Sequence, residues 1–207
     1  MASCVIMCAG AFRGLAEPLE REDLLIAADG GYRHCIQAGL DPQVVLGDFD
    51  SLGFVPEGAE VYPVEKDDTD TMLAVRQGLS RGYRRFLIYG GMEGPRIDHA
   101  LANFQTLLFL AEYQAQGFLI GQDQIATVVK NGALRLPARR EGTVSVFCLG
   151  EDARGVCLRG LRYGLEDGTL TASYPMGVSN GFVGQAAQIS VRNGRLLVLY
   201  PREVGPC

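Results

Sequence analysis

Leu24-Leu25-Ile26-Ala27-Ala28-Asp29-Gly30-Gly31 and, a little further on, Val44-Val45-Leu46-Gly47-Asp48-Phe49-Asp50-Ser51 decide how the chain is read. Each opens on an apolar run too short for a helix and without polar alternation, and each ends in aspartate and glycine. Runs of this kind are strands buried on both faces, the form strands take in a parallel sheet. Between them Tyr32–Ala38 carries helical periodicity. The segment therefore reads strand, helix, strand, with its carboxylates at the strand ends.

Working outward, Cys4–Cys8, Val61–Val64, Phe86–Tyr89 and Phe118–Ile120 read as further buried strands, and Thr71–Leu79 and Ile97–Ala115 as helices. In the last helix Ile97, Leu101, Phe104, Leu108 and Ala111 share one face. The alternation predicts a three-layer α/β domain over residues 1–123, with a mostly parallel sheet and ligands beyond the carboxyl ends of its strands. After Asp123 the long helical patterns stop, and Asn131-Gly132, Asp167-Gly168 and Asn193-Gly194 stand between alternating segments. Such dipeptides are hairpin signals, and Gln188–Val191 followed by Arg195–Tyr200 is the clearest pair. Residues 124–207 are expected to form an all-β sandwich.

The 207 residues, 47% hydrophobic and 21% charged, suffice for one large or two small cores. Nineteen Lys plus Arg against 24 Asp plus Glu leave a net charge of −5 and no basic stripe, which argues against nucleic acid. Lys66 and Lys130 are the only lysines, and neither lies in a G-x-x-x-x-G-K-[ST] run, so a P-loop is excluded; no G-x-G-x-x-G is present either. The six cysteines form no C-x-x-C pair and have only His34 and His99 beside them, which reads as buried or incidental thiols in a reducing cytoplasm. The apolar opening, Cys4 to Ala9, follows no Lys or Arg and ends by Arg13. It reads as a strand and not as a signal peptide or membrane span.

Ten of the twelve aspartates lie at or before Asp123, and six of them follow predicted strands: Asp29, then Asp48 and Asp50, then Asp67, Asp68 and Asp70. Taken singly, each cluster has a local explanation as a turn, a loop or a helix cap. Taken together at equivalent strand ends, they bring five or six carboxylates close to one another, which is self-destabilising without cations. Oxygen-rich and thiol-free, the set suits Mg²⁺ shared with substrate phosphates. Asp48 and Asp50, two apart in extended chain, point to one side.

A fourth segment runs Gly90-Gly91-Met92-Glu93-Gly94-Pro95-Arg96-Ile97-Asp98-His99-Ala100-Leu101-Ala102-Asn103 from a strand end through a glycine loop into a helix. Backbone N–H groups and the helix terminus there can meet an anion, and Arg96 can clamp a phosphate with two parallel hydrogen bonds. His99 and Asn103, four apart, share a helix face.

These motifs, in this order, resemble bacterial thiamine pyrophosphokinases: Asp29-Gly30-Gly31, Gly47-Asp48-Phe49-Asp50-Ser51, Asp68-Thr69-Asp70, and Gly94 to Asn103. Gly177-Val178-Ser179-Asn180-Gly181-Phe182 is similar to the family's Ser-Asn turn in its carboxy-terminal domain. Pro95 departs from the glycine run that the family more often carries before the arginine. The resemblance implies transfer of an intact diphosphate from ATP to the primary hydroxyl of thiamine, with release of AMP, by a homodimer whose active sites lie between subunits.

On that footing Asp48, Asp50 and Asp70 are the expected Mg²⁺ ligands, and Arg96 steadies phosphate. Asp98 or a metal-facing aspartate such as Asp70 takes the hydroxyl proton. Asp29, Gly30, Gly31, Thr69, Arg96, His99 and Asn103 surround ATP, and Ser179, Asn180 and Phe182 meet thiamine, with Tyr174 as a second aromatic. Two alternatives stand beside this: a pyrophosphokinase for another hydroxymethyl heterocycle such as a reduced pterin, and a non-catalytic metal–nucleotide sensor.

Overall fold

Four short apolar runs pair side by side as the centre of a parallel sheet: β1 (Cys4–Met7), β2 (Leu24–Ala28), β3 (Val44–Gly47) and, after the two-residue β4 (Glu60–Val61), β5 (Arg85–Tyr89). With β6 (Gln116–Ile120) the order is β6-β5-β1-β2-β3-β4, every pair parallel. All residues of β1 and β2 are buried, so both faces of the sheet are covered at its centre. The computed structural model describes residues 1–207 and divides them into Met1–Gln122 and Asp123–Cys207. No helix is long and apolar enough to cross a membrane.

Three helices cover the parallel sheet: α1 (Gly31–Gln37), α2 (Asp70–Ser80) and α3 (Ile97–Glu112). Thr69 caps α2, its Oγ1 accepting from Met72 N at 3.2 Å. Gly31 opens α1 because the helix lies against β1, where a Cβ would overlap the Met7 carbonyl.

Two expectations for this unit are corrected. Val61–Val64 is not a buried strand: β4 ends at Val61, which is 60% exposed, because it lies on the sheet edge and Pro63 has no N–H to extend the ladder. The face of α3 that packs is also different. Asn103, Thr106, Leu107 and Leu110 are its buried residues, whereas Ile97 and Leu101 are 76% and 59% exposed. Hydrophobicity alone selected the wrong side because the packed stripe includes two polar residues, each with a hydrogen bond: Asn103 to Gly91 O at 2.8 Å and Thr106 to Ala102 O at 3.0 Å.

The carboxy-terminal unit is a pair of four-stranded antiparallel sheets. One has the order β12 (Asn180–Gly181), β9 (Thr143–Cys148), β14 (Arg195–Pro201), β7 (Gln124–Lys130); the other β11 (Leu165–Leu170), β10 (Ala153–Arg159), β13 (Ala187–Ser190), β8 (Ala133–Leu136). Alternating burial along β8 and β9 gives each strand one inward face.

None of the three Asn-Gly or Asp-Gly turns makes the expected hairpin. Asn131-Gly132 and Asn193-Gly194 carry the chain from one sheet to the other, since β7 and β14 pair together and β8 and β13 pair together. The two corners bind each other, Asn131 N donating to Gly194 O at 3.1 Å and Gly194 N to Asn131 Oδ1 at 2.9 Å. Asp167, at φ 49°, sits inside β11 where its register against β10 shifts, as a bulge. What these dipeptides encode is a left-handed backbone residue, and sandwich corners and bulges need one as much as hairpins do.

Candidate active site

The ends of β2 and β3 are drawn together by backbone contacts. Asp29 N donates to Leu46 O at 2.8 Å, and Gly47, at φ 150°, lies so near that a Cβ on it would stand 3.0 Å from Asp29 Cα. Asp29 and Phe49 themselves take φ values of 47° and 58°, left-handed conformations held by this surrounding structure. The result is that carboxylate oxygens of Asp29, Asp48 and Asp50 all lie within 4.8 Å of one another. Ser51 Oγ donates to Asp29 Oδ2 at 2.7 Å, while Asp29 Oδ1 is buried with no hydrogen-bond partner. A buried carboxylate oxygen left unpartnered among other carboxylates fits a hard divalent cation.

Asp70, at the first turn of α2, is not part of that triplet. It faces Asp48 across Lys66, whose Nζ is 3.0 Å from Asp48 Oδ2 and 3.1 Å from Asp70 Oδ1. Burial pushes the Asp70 carboxyl above its ordinary value in spite of Lys66, with Asp48 and Asp29 adding to the rise. Asp48 is held below its ordinary value: burial opposes this, but hydrogen bonds from Lys66 and from Asp50 N outweigh it. The sequence leads one to expect Asp29 beside Asp48 and Asp50 but assigns it to ATP and not to the metal, and Lys66 and the Ser51 bond to Asp29 are what sequence reasoning missed. The available signal for Lys66 was its position as the one lysine in the α/β half, four residues before Asp70.

The glycine loop after β5 is built on backbone contacts to the loop after β1: Gly10 N donates to Gly90 O at 2.9 Å and Ala11 N to Glu93 O at 3.3 Å. Asn103, 6% exposed, supports it from beneath by its bond to Gly91 O, so its amide faces the loop backbone and not a ligand groove. Arg96 and Asp98 form an exposed two-point pair, with Nε to Oδ1 at 3.0 Å and Nη2 to Oδ2 at 2.6 Å. The Arg96 guanidinium holds Asp98 down at about 2. His99 and Thr69 are exposed, Gly30 is partly so, and Gly31 is buried against β1.

The family model described as the thiamin pyrophosphokinase catalytic domain matches residues 15–118, and the one described as the vitamin B1 binding domain of thiamin pyrophosphokinase matches residues 133–196. The chain belongs to the thiamin pyrophosphokinase family. A thiamine pyrophosphokinase of Bacillus subtilis (strain 168) is 25% identical over 189 residues, 87% of this chain and 88% of that one. A crystal structure of thiamine pyrophosphokinase from Bacillus subtilis superposes with a TM-score of 0.86 at 24% identity, covering 96% of this chain and 98% of that one. A thiamin pyrophosphokinase family protein from Enterococcus faecalis gives 0.80 at 26% identity, with 97% and 99% covered. The fold extends to thiamin pyrophosphokinase from Candida albicans, with a TM-score of 0.78 at 14% identity over 97% of this chain and 88% of that one.

All four aspartate and glycine segments of the family resemblance lie within the catalytic-domain match, and Ser179-Asn180-Gly181-Phe182 within the vitamin B1 binding-domain match. In the latter segment the structure corrects two expected contacts. Phe182 is 2% exposed and Asn180 is 5% exposed; Phe182 fills the sandwich core, and the Asn180 amide is consumed by bonds to Tyr163 and Gly181. Side chains at the surface near this segment include Ser179, at φ 59°, and the exposed Tyr174, Met176, Val178 and Val183, with Tyr163 exposed in the loop that Asn180 holds. The turn thus shapes its neighbourhood with buried residues and presents exposed ones, a division that a run of residue types does not reveal.

Proposed function

We propose that this thiamin pyrophosphokinase family member transfers the terminal diphosphate of ATP intact to thiamine at the strand ends where Asp29, Asp48 and Asp50 converge. The thiamine hydroxyl oxygen bonds to the β-phosphorus, the bond from that phosphorus to the α,β-bridging oxygen breaks, and AMP leaves. One observation carries the site: three carboxylate ligand atoms within 4.8 Å, with a buried unpartnered oxygen on Asp29. Mg²⁺ bound by Asp29, Asp48 and Asp50 would neutralise phosphate charge and hold the diphosphate in line for attack.

The chain's own residues supply positioning and proton transfer. Arg96 exchanges Asp98 for a phosphate oxygen when ATP arrives, keeping the same two-point geometry. Gly30, Thr69 and His99 line the nucleotide, while Gly31 and Asn103 keep the adjoining backbone in shape. In the nucleotide-free chain Arg96 holds Asp98 at about 2, a weak base, and that depression is lost when Arg96 turns to phosphate. Asp70, pushed up by burial, is the better acceptor for the hydroxyl proton. Exposed Tyr163 and Tyr174 offer ring faces to the thiamine cation, with Ser179 beside them in the turn.

The exposed Ile97 and Leu101 on α3 support a homodimer, in which the active sites lie between subunits. Free thiols and dependence on ATP favour a cytoplasmic location. The test is AMP release from ATP and Mg²⁺ with thiamine, with a reduced hydroxymethyl pterin, and with no acceptor. Release only with thiamine supports the proposal. Release with the pterin would reassign the acceptor, and ATP binding without release under any condition would make the chain a sensor.

A further inference from the structure

Lys66 is surrounded by oxygen. Its ammonium donates to Asp48 Oδ2 at 3.0 Å and to Pro63 O at 3.2 Å, and it lies 3.1 Å from Asp70 Oδ1 as an ion pair without hydrogen-bond geometry, so two carboxylates and a carbonyl surround one ammonium. Its side chain is only 13% exposed. The cation in the glycine loop after β5, Arg96, is engaged with Asp98. Lys66 therefore places one compact positive charge directly on a carboxylate that also belongs to the Asp29, Asp48 and Asp50 triplet.

We propose that Lys66 is the resident counter-ion of the carboxylate cluster, competing with a divalent cation for Asp48 in the free protein and turning to phosphate when ATP binds. The inference rests on the metal site of the proposed function and deepens it. A cation entering the free cluster must share Asp48 with an ammonium already bonded to it, and the two like charges repel. When the nucleotide enters, its phosphates add negative charge at the same strand ends, and a lysine on a four-carbon stem can follow them without disturbing its backbone. Metal binding and nucleotide binding then favour each other, and the free protein is protected against filling its site with metal alone.

A structural clasp is the rival role, since the same contacts fasten the loop from Pro63 to Thr69 onto the end of β3. The two roles give opposite signs in a metal titration. Loss of a clasp loosens the carboxylates and weakens metal binding, whereas loss of a competing charge strengthens it.

The experiment titrates the nucleotide-free full chain with Mn²⁺, following free Mn²⁺ by electron paramagnetic resonance, for wild type, Lys66→Met, Lys66→Gln, Lys66→Arg and Asp48→Asn. The expected result is a Mn²⁺ dissociation constant lowered about tenfold or more in Lys66→Met and Lys66→Gln. Lys66→Arg stays near wild type, and the dissociation constant for ATP rises in the two neutral variants. Lys66→Gln keeps a polar terminus and serves if Lys66→Met does not fold. Equal or weaker Mn²⁺ binding in the folded neutral variants overturns the proposal while leaving the metal site standing, provided that Asp48→Asn still abolishes binding. If wild type and all Lys66 variants bind no more Mn²⁺ than Asp48→Asn does, the metal site itself is refuted and this inference with it.

Discussion

Asn180 grips the backbone of Tyr163 at both ends, its Nδ2 donating to Tyr163 O at 2.7 Å and its Oδ1 accepting from Tyr163 N at 2.9 Å. A side-chain amide here does what a paired strand does, and it fixes the loop between β10 and β11 that carries the exposed Tyr163 ring. Asn180→Ala strands both backbone groups, and the expected cost is about 1–3 kcal/mol of folding stability. A lower urea midpoint with an unchanged slope is the outcome to look for. An unchanged midpoint would mean that the pair is not holding the loop.

Asp29→Asn separates function from stability. Asparagine tolerates φ 47° and keeps an oxygen for Ser51 Oγ, while removing one charge from the carboxylate triplet. The variant should melt at the wild-type temperature or slightly above it and lose thiamine-dependent AMP release. Near-normal turnover at saturating Mg²⁺ would remove Asp29 from the metal site.

The strand ends were legible in the sequence because buried parallel strands are short, apolar and abruptly terminated. Leu24–Ala28 has the same limits in both readings, and the aspartates after it are where the alternation puts them. That Asp29 would come near Asp48 and Asp50 was legible, but its choice as a cation ligand over a nucleotide contact was not, since that rests on the Asp29 N to Leu46 O bond that sets the distances among the three carboxylates. The packed side of α3 was hidden by Asn103 and Thr106, polar residues buried only because the fold supplies their partners. The sandwich corners were mistaken for hairpins because a local dipeptide specifies backbone handedness and says nothing of which sheet the next strand joins.

Arg96→Lys retains charge and loses the fork. The pair with Asp98 shows that the guanidinium can present two parallel N–H groups to a carboxylate, and an ammonium cannot present the same pair to phosphate. A fall in kcat/KM on the order of ten- to a hundredfold is expected, with no change in melting temperature because both side chains are exposed. Wild-type kinetics would return Arg96 to a solvated surface role.

Burial pushes the thiols of Cys4 and Cys8 up, to about 12 and about 11, from an ordinary value of 9.0. A group whose folded pKa is raised binds its proton more tightly in the folded state, so its contribution is complete below pH 9 and is lost as pH rises toward these values. Melting temperature should fall steeply between about pH 9 and 11, and Cys4→Ala should make that fall shallower. At neutral pH the exposed Cys207 should react with a thiol reagent well ahead of both. Rapid labelling of Cys4 in the folded chain would contradict the burial argument.

The most direct test of intact diphosphate transfer at the Asp29, Asp48 and Asp50 cluster follows where each phosphorus goes. The purified chain is incubated with Mg²⁺, thiamine and ATP labelled with phosphorus-32 at either the β or the γ position, and the products are separated. Both labels are expected in thiamine diphosphate in equal molar yield, with unlabelled AMP released one for one and neither product formed by Asp48→Asn. Transfer of the γ label alone with ADP as co-product, or undiminished transfer by Asp48→Asn, would contradict the account.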